Sequence, residues 1–425
     1  MSAARSDTGT VKWLRAHAVP LAGASPEIGL SDLEPLRRIV GDARVVLLGQ
    51  ATHGTREFFQ LGHRIIEYLV TRMGFRVLMI EAFWSRGLPV NDYLLSDRSS
   101  VDTALAGLGM WIWDTYEVRD LLTWLHEYNR GVPDHGKVRF YGIDMQDGWS
   151  SMRAAIEYLR EVDPDYAMRV ASALAPLDSI QASYETVRAY GKQPPELLRA
   201  TAASIAEMLT RLRERRQAYI ARSSSARWAI ALQHATILAQ AHESWSLPDW
   251  PNVGDLRDRF MADNVARLLE AEDRSARVIV WAHNAHVARG LWARQPTLGW
   301  HLAQRFGSKM VVFGFAFNRG SLQAWDRQGS AVVEHTVGPA AEGTVSATMA
   351  LVGLPLFLVD FRRAPGTGPI SAWLSSPHLE RTIGSGINSG DTPTEIVPRE
   401  VYDAMVFVDR TTRARPTPTG RRPRP

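Results

Sequence analysis

Cysteine is absent from all 425 residues. That excludes disulfides, thiolate-ligated zinc and a thiol nucleophile together. Lysine is almost absent: Lys12, Lys137, Lys192 and Lys309 are the only four among 49 basic residues. The skew towards arginine fits a GC-rich genome and carries no functional meaning. No stretch approaches the roughly 18 uninterrupted apolar residues of a membrane helix, and the N-terminus lacks a secretory apolar core. A cytoplasmic protein, off the membrane, is expected. Catalytic signatures are missing too: no Gly-x-Ser-x-Gly elbow, no Gly-x-Gly-x-x-Gly, no P-loop and no His-Glu-x-x-His. The usual α/β serine hydrolases, dinucleotide enzymes and NTPases are thereby disfavoured.

What is present suits a globular chain with a large core, at 45% hydrophobic and 22% charged residues. The formal net charge of +4 is misleading. Residues 410–425 hold six arginines and no acid; removing those six charges from +4 leaves the remainder at −2. No basic patch with interleaved aromatics survives, which argues against a nucleic-acid partner.

Four segments repeat one pattern of a basic residue, a short apolar run and a polar group. They are 44–49 before Gln50, 76–80 before Glu81, 137–143 before Asp144, and 277–282 before His283. Such runs suit strands buried on both faces of a mainly parallel sheet. Runs at 310–317, 356–361 and 404–408 predict further strands. Helices are predicted at 55–73, closed by Gly74, and at 115–129. The expected fold is therefore α/β, with helices flanking a mainly parallel central sheet. From 148 to 252 the strand signal vanishes and helical spacing takes over, which predicts an all-helical insertion. The α/β domain would comprise 1–147 and 253–412, with a disordered Arg/Pro-rich tail at 413–425.

Ligands of open parallel sheets bind beyond the carboxyl ends of the strands. Here those ends carry an amide, two carboxylates and an imidazole: Gln50, Glu81, Asp144 and His283. With a helix beginning near His53, the side chains of His53, Glu57, Gln60 and Arg64 would form one stripe at ~100° per residue. His283 and His286 are three apart and could share a metal, but no third ligand is apparent, so no metal and no other cofactor is expected.

Gly49-Gln50-Ala51-Thr52-His53-Gly54-Thr55-Arg56-Glu57-Phe58 resembles the Gly-Glu-x-Thr-His-Gly-[Thr/Ser]-x-Glu-Phe signature of erythromycin esterases. The resemblance continues through 75–81, Trp111-Ile112-Trp113 with Glu117, and 141–146. It resumes at Arg257–Asn264, at His283-Asn284-Ala285-His286-Val287, at 299–302 and at 402–406. It implies metal-independent opening of an ester or macrolactone, with His53 as general base on water. Glu81, Arg64, His283 and His286 would orient the base or stabilise the carbonyl oxygen. Trp111, Trp113, Glu117, Asp144 and Arg257 are carried over as substrate-binding. The ligand would be a bulky, macrolide- or polyketide-like small molecule, in a pocket lined by some of Trp111, Trp113, Trp245 and Trp250; the oligomeric state is left open. One position departs from the signature: Gln50 stands where the family has Glu. An amide can set a histidine tautomer but supplies no charge. Three accounts stay open. Glu81 supplies the charge, or the site is retuned into a lyase or cyclase of natural-product assembly, or Gln50 is neutral drift. A non-catalytic ligand-sequestering protein is the rival from outside enzymology.

Overall fold

The computed structural model describes residues 8–179, 184–247, 254–272, 275–326, 331–387 and 392–418. A two-residue strand, β1 (Val19–Pro20), precedes the four basic-led runs. Those runs fold as β2 (Val45–Leu48), β3 (Val77–Phe83), β4 (Arg139–Asp144) and β5 (Val278–Trp281). All of β2 and β5 is buried, as expected for strands covered on both faces. There follow β6 (Met310–Asp326), β7 (Ala331–Val337), β8 (Leu356–Asp360), β9 (His378–Thr382), β10 (Gly386–Ile387), β11 (Thr392–Ile396) and β12 (Ala404–Thr411).

The main sheet runs in the order β1-β8-β12-β6-β2-β5-β3-β4. From β12 to β3 every neighbouring pair is parallel, while β8 and β1 close one edge antiparallel. The fold is thus the expected α/β type with a mainly parallel sheet. Leu48 pairs with Trp281 on one side and Phe313 on the other, and Trp281 pairs with Ile80. The carboxyl ends of β2 and β5 therefore stop at one level, while β3 runs on past Ile80 to Phe83. Chain order also reverses about β2, because β5 inserts on one side of it and β6 on the other. Such a switch point opens a crevice beyond the strand ends.

Two sequence expectations need correction here. β6 continues to Asp326 rather than 317, because β12 and the antiparallel β7 supply partners that carry it through the polar residues Asn318, Arg319 and Ser321. Residues 413–418 are placed against the sheet unit rather than disordered: Thr55 bridges to Arg413, and Thr115 to Pro416. Composition missed this because the segment is held by main-chain groups and by acids far away in sequence.

The described chain divides into two compact units. Residues 83–85 and 142–264 form one, and the remainder forms the other. The first is helical beyond β4, built on Leu159, Leu212, Leu238 and Trp245 in its core. Trp250 lies outside the described residues.

In the sheet unit, the helix Arg56–Met73 ends at Gly74, whose φ of 73° is the left-handed conformation expected of a glycine cap. Gly62 faces Trp281: a Cβ there would meet the indole ring at 2.7 Å. That ring is wedged edge-on against Phe59 and Trp113. Gly62→Ala gains about 1 kcal/mol of helix propensity but must displace a packed indole, typically costing about 1–3 kcal/mol. The unfolding midpoint of the variant is expected to fall, as read by thermal denaturation.

The next residue, His63, is buried with neither ring nitrogen partnered, and burial lowers its pKa from 6.5 to about 4. Burial likewise lowers His234 and His242 to about 4 and His283 to about 3. The unfolded imidazoles take up protons below pH 6.5 while the folded ones do not. These groups therefore make stability fall as pH drops from 6.5 towards 4. His63→Leu removes one such group and two orphaned polar atoms. We expect a higher unfolding midpoint, with a gain that grows below pH 6.5; a loss at all pH values would contradict this reading.

Candidate active site

The β2–helix loop carries Gln50 and His53. Gly49 is required where the loop begins, because a Cβ would lie 2.1 Å from Asn284 Oδ1. Asn284, itself buried, ties three segments together. Its amide N–H donates to Gln50 O at 2.9 Å, its Nδ2 donates to Phe315 O at 2.7 Å, and Phe315 N donates to its Oδ1 at 3.2 Å. Farther along, Ile383 N donates to Ala51 O at 3.2 Å. Gly54 is pressed against β6, where a Cβ would stand 1.9 Å from Gln323 O. His53 is thus presented by a loop with little freedom.

The helix itself starts at Arg56 with Thr55 as N-cap, so His53 precedes it. The expected stripe of His53, Glu57, Gln60 and Arg64 on one helical face does not exist. Arg64 is fully buried, and its guanidinium donates to Gly23 O at 2.7 Å, to Gly29 O and to Asp32. Its charge is spent on the 23–32 loop.

Gln50 Nε2 lies 2.9 Å from His53 Nδ1. An amide nitrogen only donates, so in this arrangement Nδ1 accepts and neutral His53 carries its proton on Nε2. Gln50 Oε1 is buried without a protein partner. The His53 and His283 rings lie with centroids 4.9 Å apart.

His283 has both nitrogens engaged. Ala285 N donates to its Nδ1 at 3.1 Å, and its Nε2 faces Ile383 O at 3.3 Å, which fixes the Nε2–H tautomer. Burial and the neighbouring His53 depress its pKa to about 3. It stays neutral, caps the turn Asn284–Val287 and lies against the His53 ring.

Glu81 joins the constellation from β3. The His283 N–H donates to Oε2 at 3.0 Å, and His286 Nε2 stands 3.2 Å from Oε1. Trp113 Nε1 donates to the Glu81 carbonyl at 2.8 Å. The imidazole backed by a carboxylate is therefore His286, whose side chain keeps 18% exposure against 5% for Glu81. Among the described residues no three acids or histidines are grouped to hold a metal ion.

Several residues carried over as substrate-binding have structural employment. Trp113 is fully buried and braces Glu81; Trp111 packs at the margin of the sheet-unit core. Glu117 is buried and accepts from Arg415 N at 3.0 Å and Arg415 Nε at 2.7 Å, with Arg56 Nε at 3.6 Å. In the helical unit Arg257 Nη2 pairs with Asp144 at 2.7 Å, so these two hold each other. Trp245 is buried in that unit's own core. Asn284, which the sequence shows only as part of the 283–287 motif, is a positioning residue with no separate signal to single it out.

The sequence model of the erythromycin esterase family matches residues 70–411. It covers Glu81, His283 and His286 and begins after His53. A Bacillus subtilis (strain 168) protein named as a hydrolase, YbfO, is 23% identical over 94% of this chain and 90% of its own. The Escherichia coli erythromycin esterase type II is 24% identical over 83% of this chain and 89% of its own. A crystal structure titled as a succinoglycan biosynthesis protein superposes with a TM-score of 0.84, covering 98% of this chain and all of that one at 24% identity. A variant of the erythromycin esterase EreC in its open conformation superposes at 0.68, covering 90% and 94% at 18% identity. The chain belongs to the erythromycin esterase family, and that membership supports a hydrolase-like function on a small molecule.

Proposed function

We propose that this protein hydrolyses an ester or macrolactone by metal-independent, histidine-assisted attack of water. The observation that carries the reading is the Glu81–His286 pair beside the His53–Gln50 pair. His286 directs Nε2–H at the Glu81 carboxylate, leaving Nδ1 as the basic nitrogen. A carboxylate on the far side of an imidazole fixes the tautomer and raises its basicity. His286 takes the proton of the attacking water. The ester carbon becomes tetrahedral, its carbonyl oxygen gathers negative charge, and the proton passes to the leaving alkoxide as the C–O bond breaks.

His53 differs from the role carried over by resemblance. With Gln50 donating to Nδ1, His53 offers Nε2–H, a donor suited to the developing oxyanion. The departure at Gln50 then has a chemical meaning: an amide in place of a carboxylate makes His53 a donor and leaves proton transfer to the carboxylate-backed His286. This reading rests the charge at Glu81, and nothing in the geometry favours elimination or ring closure. A bulky macrolactone remains our proposal for the substrate, drawn from the activity named for the Escherichia coli relative.

The test is mass spectrometry of macrolides and simple esters incubated with the protein in ¹⁸O-labelled water. Hydrolysis places the label in the acid product; an unlabelled product would sink the proposal. His286→Gln should lose about 10²–10⁴-fold in rate, since an amide cannot take a proton. His53→Ala should lose about 10²–10³-fold, as for a missing oxyanion donor. His53→Gln keeps an N–H donor and should recover part of that loss. Equal inactivity of His53→Ala and His53→Gln would return the base role to His53.

A further inference from the structure

The segment just past the family match, residues 412–417, touches the loop that presents His53. The helix Arg56–Met73 begins without a side-chain cap, since the Thr55 hydroxyl is engaged by Thr52 at 2.6 Å. Its first backbone donor is satisfied from outside: Arg56 N donates to Thr412 O at 2.9 Å. Thr412 in turn donates from N and Oγ1 to the Glu57 carboxylate at 2.8 and 2.6 Å. Two residues on, Ala414 N donates to Gly54 O at 2.9 Å, an acceptor shared with Gln323 N at 3.0 Å.

The far end of the segment is anchored separately. Arg415 grips the buried Glu117 through N and Nε, and Tyr116 N donates to Arg415 O at 2.8 Å. Thr417 bonds Asp114 through both its backbone N and its hydroxyl. Ala414 and Thr417 are themselves buried.

We propose that residues 412–417 are a positioning strap, in which the Ala414–Gly54 and Glu117–Arg415 contacts hold the His53 loop in register with Gln50 and His283. Residues 50–52 are held by Asn284 and Ile383. Residues 54–57 are held by β6 and the strap. His53 sits between these two clamps, and its ring must keep a 2.9 Å contact with Gln50 and a 4.9 Å separation from the His283 ring. Misplacement of a catalytic group by about 1 Å can cost about 10²-fold in rate, so the strap acts on turnover through geometry. The inference rests on the placement of His53 in the active site proposed above.

Two full-length variants test it. Ala414→Pro deletes the N–H that reaches Gly54, and Glu117→Gln weakens the anchor without removing the side chain. The readout is ¹⁵N-histidine NMR, with His53, His63 and His234 assigned by single His→Gln variants. In both strap variants the His53 ring nitrogens should shift or broaden while those of His63 and His234 hold. With p-nitrophenyl acetate as probe ester, kcat should fall about tenfold or more at a KM within about twofold. An unchanged His53 signal overturns the strap. So does a uniform change at all three histidines, which marks a merely structural role. If the wild-type protein does not turn over the probe ester, the hydrolase proposal loses support, whereas the NMR result still decides the strap.

Discussion

A buried carboxylate needs partners, and the need of Glu81 for them organises this site. Its two oxygens take the His283 amide and the His286 imidazole, and its own carbonyl is held by the Trp113 indole. Those contacts are possible because β3 and β5 pair in a register that sets Ile80 beside Trp281. Glu81 and Ala282 are then level, and the next amide on β5 reaches the carboxylate. An unpaired carboxylate in that position would face a desolvation cost of several kcal/mol. The same contacts tie both ends of the turn at 283–286 to β3, and His283 in turn lies against His53.

The second organising constraint is close approach of backbones. Gly49, Gly54 and Gly62 each stand where a methyl group would collide with Asn284, Gln323 or Trp281. Their absence of side chain lets the His53 loop approach Asn284 and β6 closely, with the helix Arg56–Met73 packed onto the Trp281 indole. Asn284 uses that room to tie the loop after β2 to β6, its backbone N–H reaching Gln50 and its side-chain amide reaching Phe315. The site therefore belongs to the sheet itself, and its loop gains its shape from three strands rather than from its own turn chemistry.

Charge is distributed unequally around the reacting groups. Arg64, Arg56 and Arg415 all lie near the helix that follows His53, yet each is tied to a carboxylate or carbonyl: Arg64 to Asp32, Arg56 and Arg415 to Glu117. His283 is held neutral by burial. In the proposed chemistry the Glu81–His286 pair moves the proton, while Gln50 contributes a neutral donor to His53. Swapping Glu for Gln at position 50 thus leaves one carboxylate-backed imidazole in the proposed chemistry instead of two.

Much of this was written in the chain. Buried strands announce themselves as short β-branched runs, because both faces of a parallel sheet are covered; Gln50, Glu81 and His283 follow such runs directly. The Thr-His-Gly motif, the paired histidines at 283 and 286, and the helical character of the described residues between 148 and 247 were equally legible. Partnership was not. The helix start at Arg56 takes its outside cap from Thr412, more than 350 residues away, so the predicted helix at 55–73 holds while the stripe drawn from a start near His53 does not. Arg64 and Glu117 were carried over by resemblance, and their charges are consumed by Asp32 and Arg415. A sequence specifies which groups are available and which segments must be buried. Which donor meets which acceptor depends on strand register and on loops returning from elsewhere, and only the tertiary structure decides that.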